Sequence, residues 1–447
     1  MPEQLTWHGD PVRRVAVVGA GLSGCLIATM LARRGLEVAL YERRTDPRVA
    51  GAERGRSINL AISARGIDAL ARVGLAESAL ADALPMRGRT LHPKAGELGF
   101  QSYSAHGTRA INSISRATLN HALLDCAEQT PGVSVHFGHS CTGVEPATGT
   151  LTFDTPTGQV GATADLVIGA DGAYSAVRRA LQFREGFDFS QSFLPHGYKE
   201  LTIPATADGE FALDPGSLHI WPRGSAMMIA LPNVDRSFTC TLFWPKDGPG
   251  GLLTLDTPDA VTAHFAEHYP DAVPLMPALV DDFLHNPVGS LVTVRCNPWI
   301  SGRVALLGDA AHAIVPFFGQ GANCAFEDCV ELGRCLTDAR GELSAALTLY
   351  NERRKANTDA IADMALENFD EMSNKVNSAV FHWTTRARHA LERVVPGYAS
   401  RYELVSFTTT PYARIEGRVR RQDRLVGGVL AAAAVAGSIV LTRKARR

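Results

Sequence analysis

Val15-Ala-Val-Val-Gly-Ala-Gly-Leu-Ser-Gly24 is an apolar run that stops in a glycine turn and continues as the start of a helix. The spacing Gly19, Gly21, Gly24 after a strand and before a helix is the context a phosphate-binding turn requires. The glycines permit a tight turn and let a pyrophosphate approach the helix N-terminus, where backbone N–H groups and the helix dipole favour anions. The helix reads from Leu22 to Arg34, with Gly35 as its C-cap. The next strand, Glu37-Val-Ala-Leu-Tyr-Glu42, ends in an acid at the spacing of one that accepts ribose hydroxyls. The glycine motif alone is weak. With strand, helix and Glu42 in place it points to a dinucleotide.

Two later segments repeat the strand-to-corner pattern. Leu166-Val-Ile runs into Gly169-Ala-Asp-Gly172, and Val304-Ala-Leu-Leu runs into Gly308-Asp309. Such corners expose a carboxylate and backbone N–H groups at the carboxyl ends of strands, where open α/β sheets bind ligands. Three corners in this order imply one long dinucleotide laid across one sheet. Asp309 could accept hydrogen bonds from a polyol chain; its other reading is a helix N-cap. Downstream, Gly319, Gly321, Ala322 and Asn323 fall at a helix start, whose N–H groups would favour negative charge on a bound ring. Only one Gly-x-Gly-x-x-Gly of this type occurs, so one cofactor is held tightly and a second nucleotide binds transiently.

The wider composition sets bounds. The chain has 447 residues, 45% hydrophobic and 20% charged, which suits a packed globular protein. A net charge of -2 gives no electrostatic reason to expect nucleic acid. The eight cysteines form no C-x-x-C pair, so reduced thiols are expected and a metal site is not. No signal pattern precedes Val15, which suggests an intracellular protein. Leu425 to Thr442 is an 18-residue stretch without charge, flanked by arginines. As a helix it would be roughly 27 Å long, close to a bilayer core. It reads either as a tail anchor on the cytoplasmic face of a membrane or as an Ala-rich docked helix of a cytoplasmic protein.

The expected fold is α/β (α+β overall): a Rossmann-like nucleotide-binding domain with an inserted antiparallel-sheet domain and a helical C-terminal region. The strand-like runs at Leu218, Ala226 and Ser237, separated by Pro, Gly and Asn/Asp turns, mark the insert. The division is 1–190 and 296–340 for the binding domain, 191–295 for the insert, 341–424 for the helical cover and 425–442 for the candidate anchor.

The three corners resemble those of the single-component FAD-dependent aromatic hydroxylases. Arg54-Gly-Arg-Ser-Ile-Asn-Leu-Ala61, Pro85-Met-Arg-Gly-Arg89, Pro195-His-Gly-Tyr-Lys-Glu-Leu201, Leu218-His-Ile-Trp-Pro222, Pro316-Phe-Phe-Gly-Gln-Gly321 and Ala365-Leu-Glu-Asn-Phe-Asp-Glu-Met372 resemble the kynurenine 3-monooxygenases among them. The resemblance covers about residues 13 to 415. It implies non-covalent FAD, reduction by NADPH, O2 capture as a flavin C4a-hydroperoxide and hydroxylation of L-kynurenine to 3-hydroxykynurenine, in tryptophan degradation or NAD synthesis. The flavin would carry the chemistry, so no catalytic side chain is named.

Carried over by position, the resemblance assigns FAD to Gly19, Gly21, Ser23, Gly24, Tyr41, Glu42, Arg43, Arg44, Ala61, Arg116, Cys141, Asp309, Gly321, Ala322 and Asn323. Arg116 would reach the pyrophosphate or the polyol chain, and Cys141 would offer its backbone to adenine. Arg89 would pair with the substrate carboxylate, since a planar guanidinium suits a bidentate pair. Tyr103, Asn368 and Tyr402 would complete recognition of the amino-acid moiety. Each has a plainer reading: a structural ion pair for Arg89, a mid-helix surface residue for Asn368, core residues for the tyrosines. Two other functions stay open: a hydroxylase of another aromatic acid, and a membrane-tethered flavoprotein that only passes electrons.

Overall fold

The computed structural model describes residues 5–50, 59–104, 107–372, 391–392, 395 and 397–426. The expected tail anchor, beyond Val426, and the start of the Arg54 segment lie outside the described residues.

The apolar runs before the three corners pair side by side. The six-stranded sheet runs in the order Val133–His136, Glu37–Tyr41, Arg14–Val18, Leu166–Gly169, Val304–Leu306, Ile300–Ser301. The first five strands are parallel and the last is antiparallel. Register fixes where the corners stand. Val18 pairs with Tyr41 and with Gly169, and Gly169 with Leu306. Four strands therefore end in one row, about 14 Å long at the usual strand spacing. Helices Leu22–Ala32, Arg116–Gln129 and Gly321–Asp338 pack on this sheet through a shared core that includes Leu26, Val17, Ile168, Leu123 and Phe326. A three-stranded antiparallel sheet, Ser140–Glu145, Thr150–Thr155 and Gly158–Thr163, follows Val133–His136 and was not anticipated.

The second sheet is larger than the expected insert. Its order is Gly289–Asn297, Asp188–Ile203, Phe238–Pro245, Ala226–Pro232, Ser217–Arg223, Gly88–Leu91, Gly99–Ser102. The last two strands come from residues upstream of 191 and join by a parallel pairing of Arg89 with Leu218 and Leu91 with Ile220. Side chains alternate between its faces. Leu91, Ile220, Met227 and Phe243 pack toward Phe317 and Phe318, which follow the third corner. Trp221, Met228 and Leu242 pack on the other side with Phe265 and Phe283, from helices Pro258–His268 and Leu279–His285.

The 28-residue helix Leu343–Asp370 spans both parts. Tyr350 Oη donates to the Leu306 carbonyl at the nucleotide row, and Asn368 Nδ2 donates to the Phe317 carbonyl near the second sheet. A further helix covers 412–426.

Candidate functional site

The first turn is built by close approach. Gly19 has φ +104°, and a Cβ there would lie 2.6 Å from the Ala170 carbonyl oxygen. A Cβ on Gly24 would lie 1.8 Å from the Gly19 carbonyl oxygen. Gly21 has nothing within 4 Å of its Cβ position. Two glycines thus serve packing, and the third faces open space at the N-terminus of Leu22–Ala32, which has no acidic residue in its first turn. That arrangement fits a pyrophosphate group, which needs exposed N–H donors and no competing carboxylate.

Glu42 is buried at the end of its strand. Its Oε2 accepts from Ala20 N at 3.0 Å, and its Oε1 accepts from Arg44 N and Nε at 3.1 and 2.8 Å. The carboxylate is held against the glycine turn before any ligand arrives, and Arg44 is its ion-pair partner rather than a solvated charge. Arg43 is exposed beside it. The Tyr41 ring is enclosed, stacked on Phe153 at 4.3 Å and on His136 at 4.9 Å. Cys141 is half-buried in the neighbouring strand. Arg116 is exposed at the first position of Arg116–Gln129. One turn later Asn120 Nδ2 donates to the Ala20 carbonyl, so this helix borders the glycine turn.

The second corner is a brace. Asp171 accepts from Ser175 Oγ and from the backbone N–H groups of Ala176 and Val177, capping the helix Ala176–Leu181. Arg178 of that helix donates to the carbonyls of Ala173 and Ala310, tying the second corner to the third. At the third corner, Asp309 is exposed and opens a one-turn helix, with Gly308 at its N-cap position. Ser23 Oγ is 3.1 Å from the Cβ position of Gly308, so first and third corners touch.

The Asn323 side chain is fully engaged within the protein. It donates to the carbonyls of Ala61 and Gly319 at 2.8 and 2.9 Å and accepts from Ser63 N and Gly66 N at 2.9 and 3.2 Å. Two donors and two acceptor positions exhaust an amide. Asn323 is a buried clamp that fixes the Ala61 strand and the Gly319 turn. Gly321 and Ala322 precede it at the N-terminus of an 18-residue helix without acid in its first turn, a second place suited to negative charge.

Behind Gly308 lies a buried charge network that the sequence did not announce. Asp328 Oδ2 accepts from Gly308 N at 2.9 Å and from His312 Nε2 at 2.5 Å. Its Oδ1 accepts from Arg354 Nε at 2.7 Å. Arg354 also pairs with Glu327 at 2.6 Å, and Glu327 with Arg65 at 2.9 Å. Arg65 donates to the Val405 carbonyl and lies 3.8 Å over the Tyr412 ring, whose hydroxyl donates to Gln320. His312, Cys324 and Asp328 converge closely enough to suggest a metal. Arg354 Nη2 occupies the same space, 3.2 Å from Cys324 Sγ, so cationic charge is already supplied by protein.

Burial alone would lower the His312 imidazole, but Asp328 outweighs it and raises the ring to about 10. A group held above its unfolded value stabilises fully below that value and loses the contribution as pH rises through the folded one. Thermal stability should therefore decline between about pH 7 and 10, and His312→Asn should flatten that slope. Parallel slopes in the two proteins would contradict the pairing.

Beside the second sheet, three expected residues meet. Arg89 Nε donates to Gln101 at 2.9 Å on the adjacent strand. The Tyr103 and Tyr402 rings stack at 4.9 Å, and Tyr402 stacks on Phe318 at 5.8 Å. Burial pushes the Tyr103 hydroxyl up to about 12, against the pull of nearby Arg89, and the two tyrosine hydroxyls share a hydrogen bond. Burial likewise raises Tyr402. Both hydroxyls stay neutral donors at ordinary pH. Asn368 is buried, not a surface residue; it holds the Phe317 carbonyl at 2.7 Å while Phe369 stacks on the Phe317 ring at 4.2 Å. Arg89, Tyr103 and Tyr402 thus form one cluster that meets the Phe317–Phe318 turn through Tyr402, and Asn368 holds that turn from its own helix.

Residues 13–365 match the model of the FAD binding domain family. The chain is 49% identical over 402 residues to the kynurenine 3-monooxygenase of Myxococcus xanthus (strain DK1622), covering 89% of this chain and 86% of that one. The chain belongs to the kynurenine 3-monooxygenase family. The family member from Salinispora tropica is 45% identical over 442 residues, 97% of each chain, and that of Dictyostelium discoideum 44% over 413 residues, 89% of each. Among solved structures, 2-methyl-3-hydroxypyridine-5-carboxylic acid oxygenase shares the fold with a TM-score of 0.67 at 21% identity, covering 88% of this chain and 95% of that one. A single-residue variant of Klebsiella pneumoniae HpxO complexed with FAD gives 0.68 at 22%, covering 86% and 97%. Like them, this family member has a Rossmann-like FAD-binding fold. Its cofactor is FAD, and it is an FAD-dependent aromatic monooxygenase.

Proposed function

We propose that this protein hydroxylates L-kynurenine to 3-hydroxykynurenine, using NADPH and O2 with bound FAD. The observation that carries the substrate assignment is the cluster of Arg89, Tyr103 and Tyr402, with Tyr402 stacked on the Phe318 ring. One cation and two neutral hydroxyl donors suit a small zwitterionic acid with an aromatic ring. They do not suit a lipid quinone, which offers no carboxylate.

FAD supplies electron storage and oxygen activation when bound. The protein's residues do the rest. The open N-terminus at Gly21 and Arg116 would bind the pyrophosphate, Glu42 the adenosine ribose, and Asp309 the polyol chain. Backbone N–H groups at Gly321 and Ala322 would meet negative charge on the ring. Arg89 would hold the substrate carboxylate. Phe317 and Phe318 would bound the reacting end with apolar surface and keep out bulk water.

The reading is tested by mixing anaerobic FAD-loaded protein with NADPH, with and without L-kynurenine, and following flavin bleaching. Kynurenine should accelerate reduction strongly, and the aerobic product should gain one oxygen atom. No acceleration and no mass gain would end the assignment; acceleration by another aromatic acid alone would redirect it.

Among the described residues, no helix is long and apolar enough to cross a membrane. The helix over 412–426 exposes Arg418, Arg420, Arg421 and Arg424, and this charge supports peripheral association of the tail with anionic lipid.

A further inference from the structure

Behind the strand that carries Arg89 lies an unbroken chain of polar contacts. Arg89 and Leu91 face the substrate side of the second sheet, so the alternation turns His92 to the back. There His92 Nδ1 is 3.0 Å from Asp271 Oδ2, and His92 Nε2 is 2.9 Å from His219 Nδ1. His219 Nε2 is 2.9 Å from the Asp214 carbonyl oxygen. Both imidazoles are buried, while the Asp271 side chain is 44% exposed.

Counting protons along this chain gives an odd result. A carbonyl oxygen only accepts, so His219 Nε2 must carry hydrogen. A neutral His219 then accepts at Nδ1, and His92 Nε2 must donate. A neutral His92 would next present a lone pair at Nδ1 to a carboxylate oxygen. Three gaps need three protons, and two neutral imidazoles bring two.

The surroundings show where the third one resides. Asp271 Oδ2 also accepts from Trp221 Nε1 at 2.7 Å, and Arg223 lies 4.0 Å from Oδ1, so the carboxylate is stabilised as an anion. The His92 ring stacks on Trp221 at 4.0 Å, which favours a cationic ring over an indole face. Burial, His219 and Arg223 disfavour charge on His92 and together hold the ring down at about 4, against the hydrogen bond and the charge of Asp271. The hydrogen-bond geometry argues the other way, because a neutral His92 would set two acceptors against each other across the 3.0 Å contact with Asp271. The other groups near this cluster are Tyr269, beneath Arg223, and the surface set Lys94, Glu267 and His268.

We propose that His92, His219 and Asp271 form a proton-bridged positioning chain that holds the Arg89 strand in its substrate-binding register. The inference rests on the assignment of Arg89 to the substrate carboxylate. One bridging proton joins the Gly88–Leu91 strand, its neighbour Ser217–Arg223 and the Asp271 loop. As pH rises the third proton leaves, one contact becomes repulsive, and the strand loses its backing. Binding of substrate weakens while the chemistry at the flavin continues.

Two measurements test this. Nitrogen-15 spectra of the FAD-loaded, histidine-labelled protein count imidazole N–H groups without reference to activity. Three in the His92–His219 pair near neutral pH are expected; two would overturn the proposal. In steady state, KM for L-kynurenine should rise about tenfold across one pKa unit of differential binding, with kcat changing little. Asp271→Asn, a near-isosteric change at a half-exposed site, removes the anion that holds the third proton and should remove the pH dependence of KM. An Asp271→Asn enzyme that titrates like the wild type would overturn the positioning role. Absence of any kynurenine turnover would instead remove the substrate assignment and leave the proton count to judge the chain.

Discussion

Arg354→Met should cost about 3–5 kcal/mol of stability, because it leaves Asp328 and Glu327 as buried anions without their shared cation. That is a large part of the roughly 5–15 kcal/mol typical of a whole domain. Arg354 is 2% exposed and meets Asp328 at 2.7 Å and Glu327 at 2.6 Å; Asp328 is fully buried and cannot turn to water instead, while Glu327 keeps Arg65. The damage should spread toward the cofactor, since Asp328 also holds the Gly308 N–H that shapes the third corner. Chemical denaturation of the purified variant, with and without added FAD, checks both parts. A loss below about 1 kcal/mol, the range of an exposed pair, would show the network to be dispensable.

Gly24→Ala should weaken FAD binding roughly tenfold to a hundredfold, the equivalent of about 1–3 kcal/mol for overpacking. The added methyl would fall 1.8 Å from the Gly19 carbonyl oxygen. The obstacle is backbone and cannot swing aside. Gly19 is itself pressed against Ala170, so the displacement would travel from the first corner into the second. Fluorescence titration of the apoprotein with FAD gives the result directly. Gly21→Ala is the control for the other role: it meets no protein atom, so the fold should persist while the phosphate approach is obstructed. A yellow Gly24→Ala protein of wild-type affinity would refute the packing argument.

The parts that the sequence disclosed are those encoded locally. A strand, a corner and a helix N-terminus lie within about a dozen residues, so Val15–Gly24 and Val304–Asp309 could be read without a fold. The register that aligns Tyr41, Val18, Gly169 and Leu306 follows from such units once they pair in parallel. The charge network was not legible, because Arg65, His312, Asp328 and Arg354 come from four segments and each alone resembles a surface charge. One sign was present: Asp328 stands beside Cys329 and four residues after Cys324 in an otherwise apolar helix stripe, where an acid needs a buried partner. Asn323 was legible as part of a helix start, but only the fold reveals that its side-chain amide is fully used within the protein. Asn368 and Tyr402 came from resemblance alone. Their positions against Phe317 and Phe318 give them a physical reason.

The strands Gly88–Leu91 and Gly99–Ser102 have a consequence for how such a protein can change by recombination. The seven-stranded sheet is completed by chain that precedes the long crossover strand Asp188–Ile203. A chimera that exchanged only residues 191–295 between relatives would graft five strands onto two strangers, with the seam running through the Arg89–Leu218 pairing. Inherited as a block, the insert cannot carry a new specificity by itself. A working exchange must move two separate stretches of the gene together, which ties Arg89 to the sheet that its strand completes.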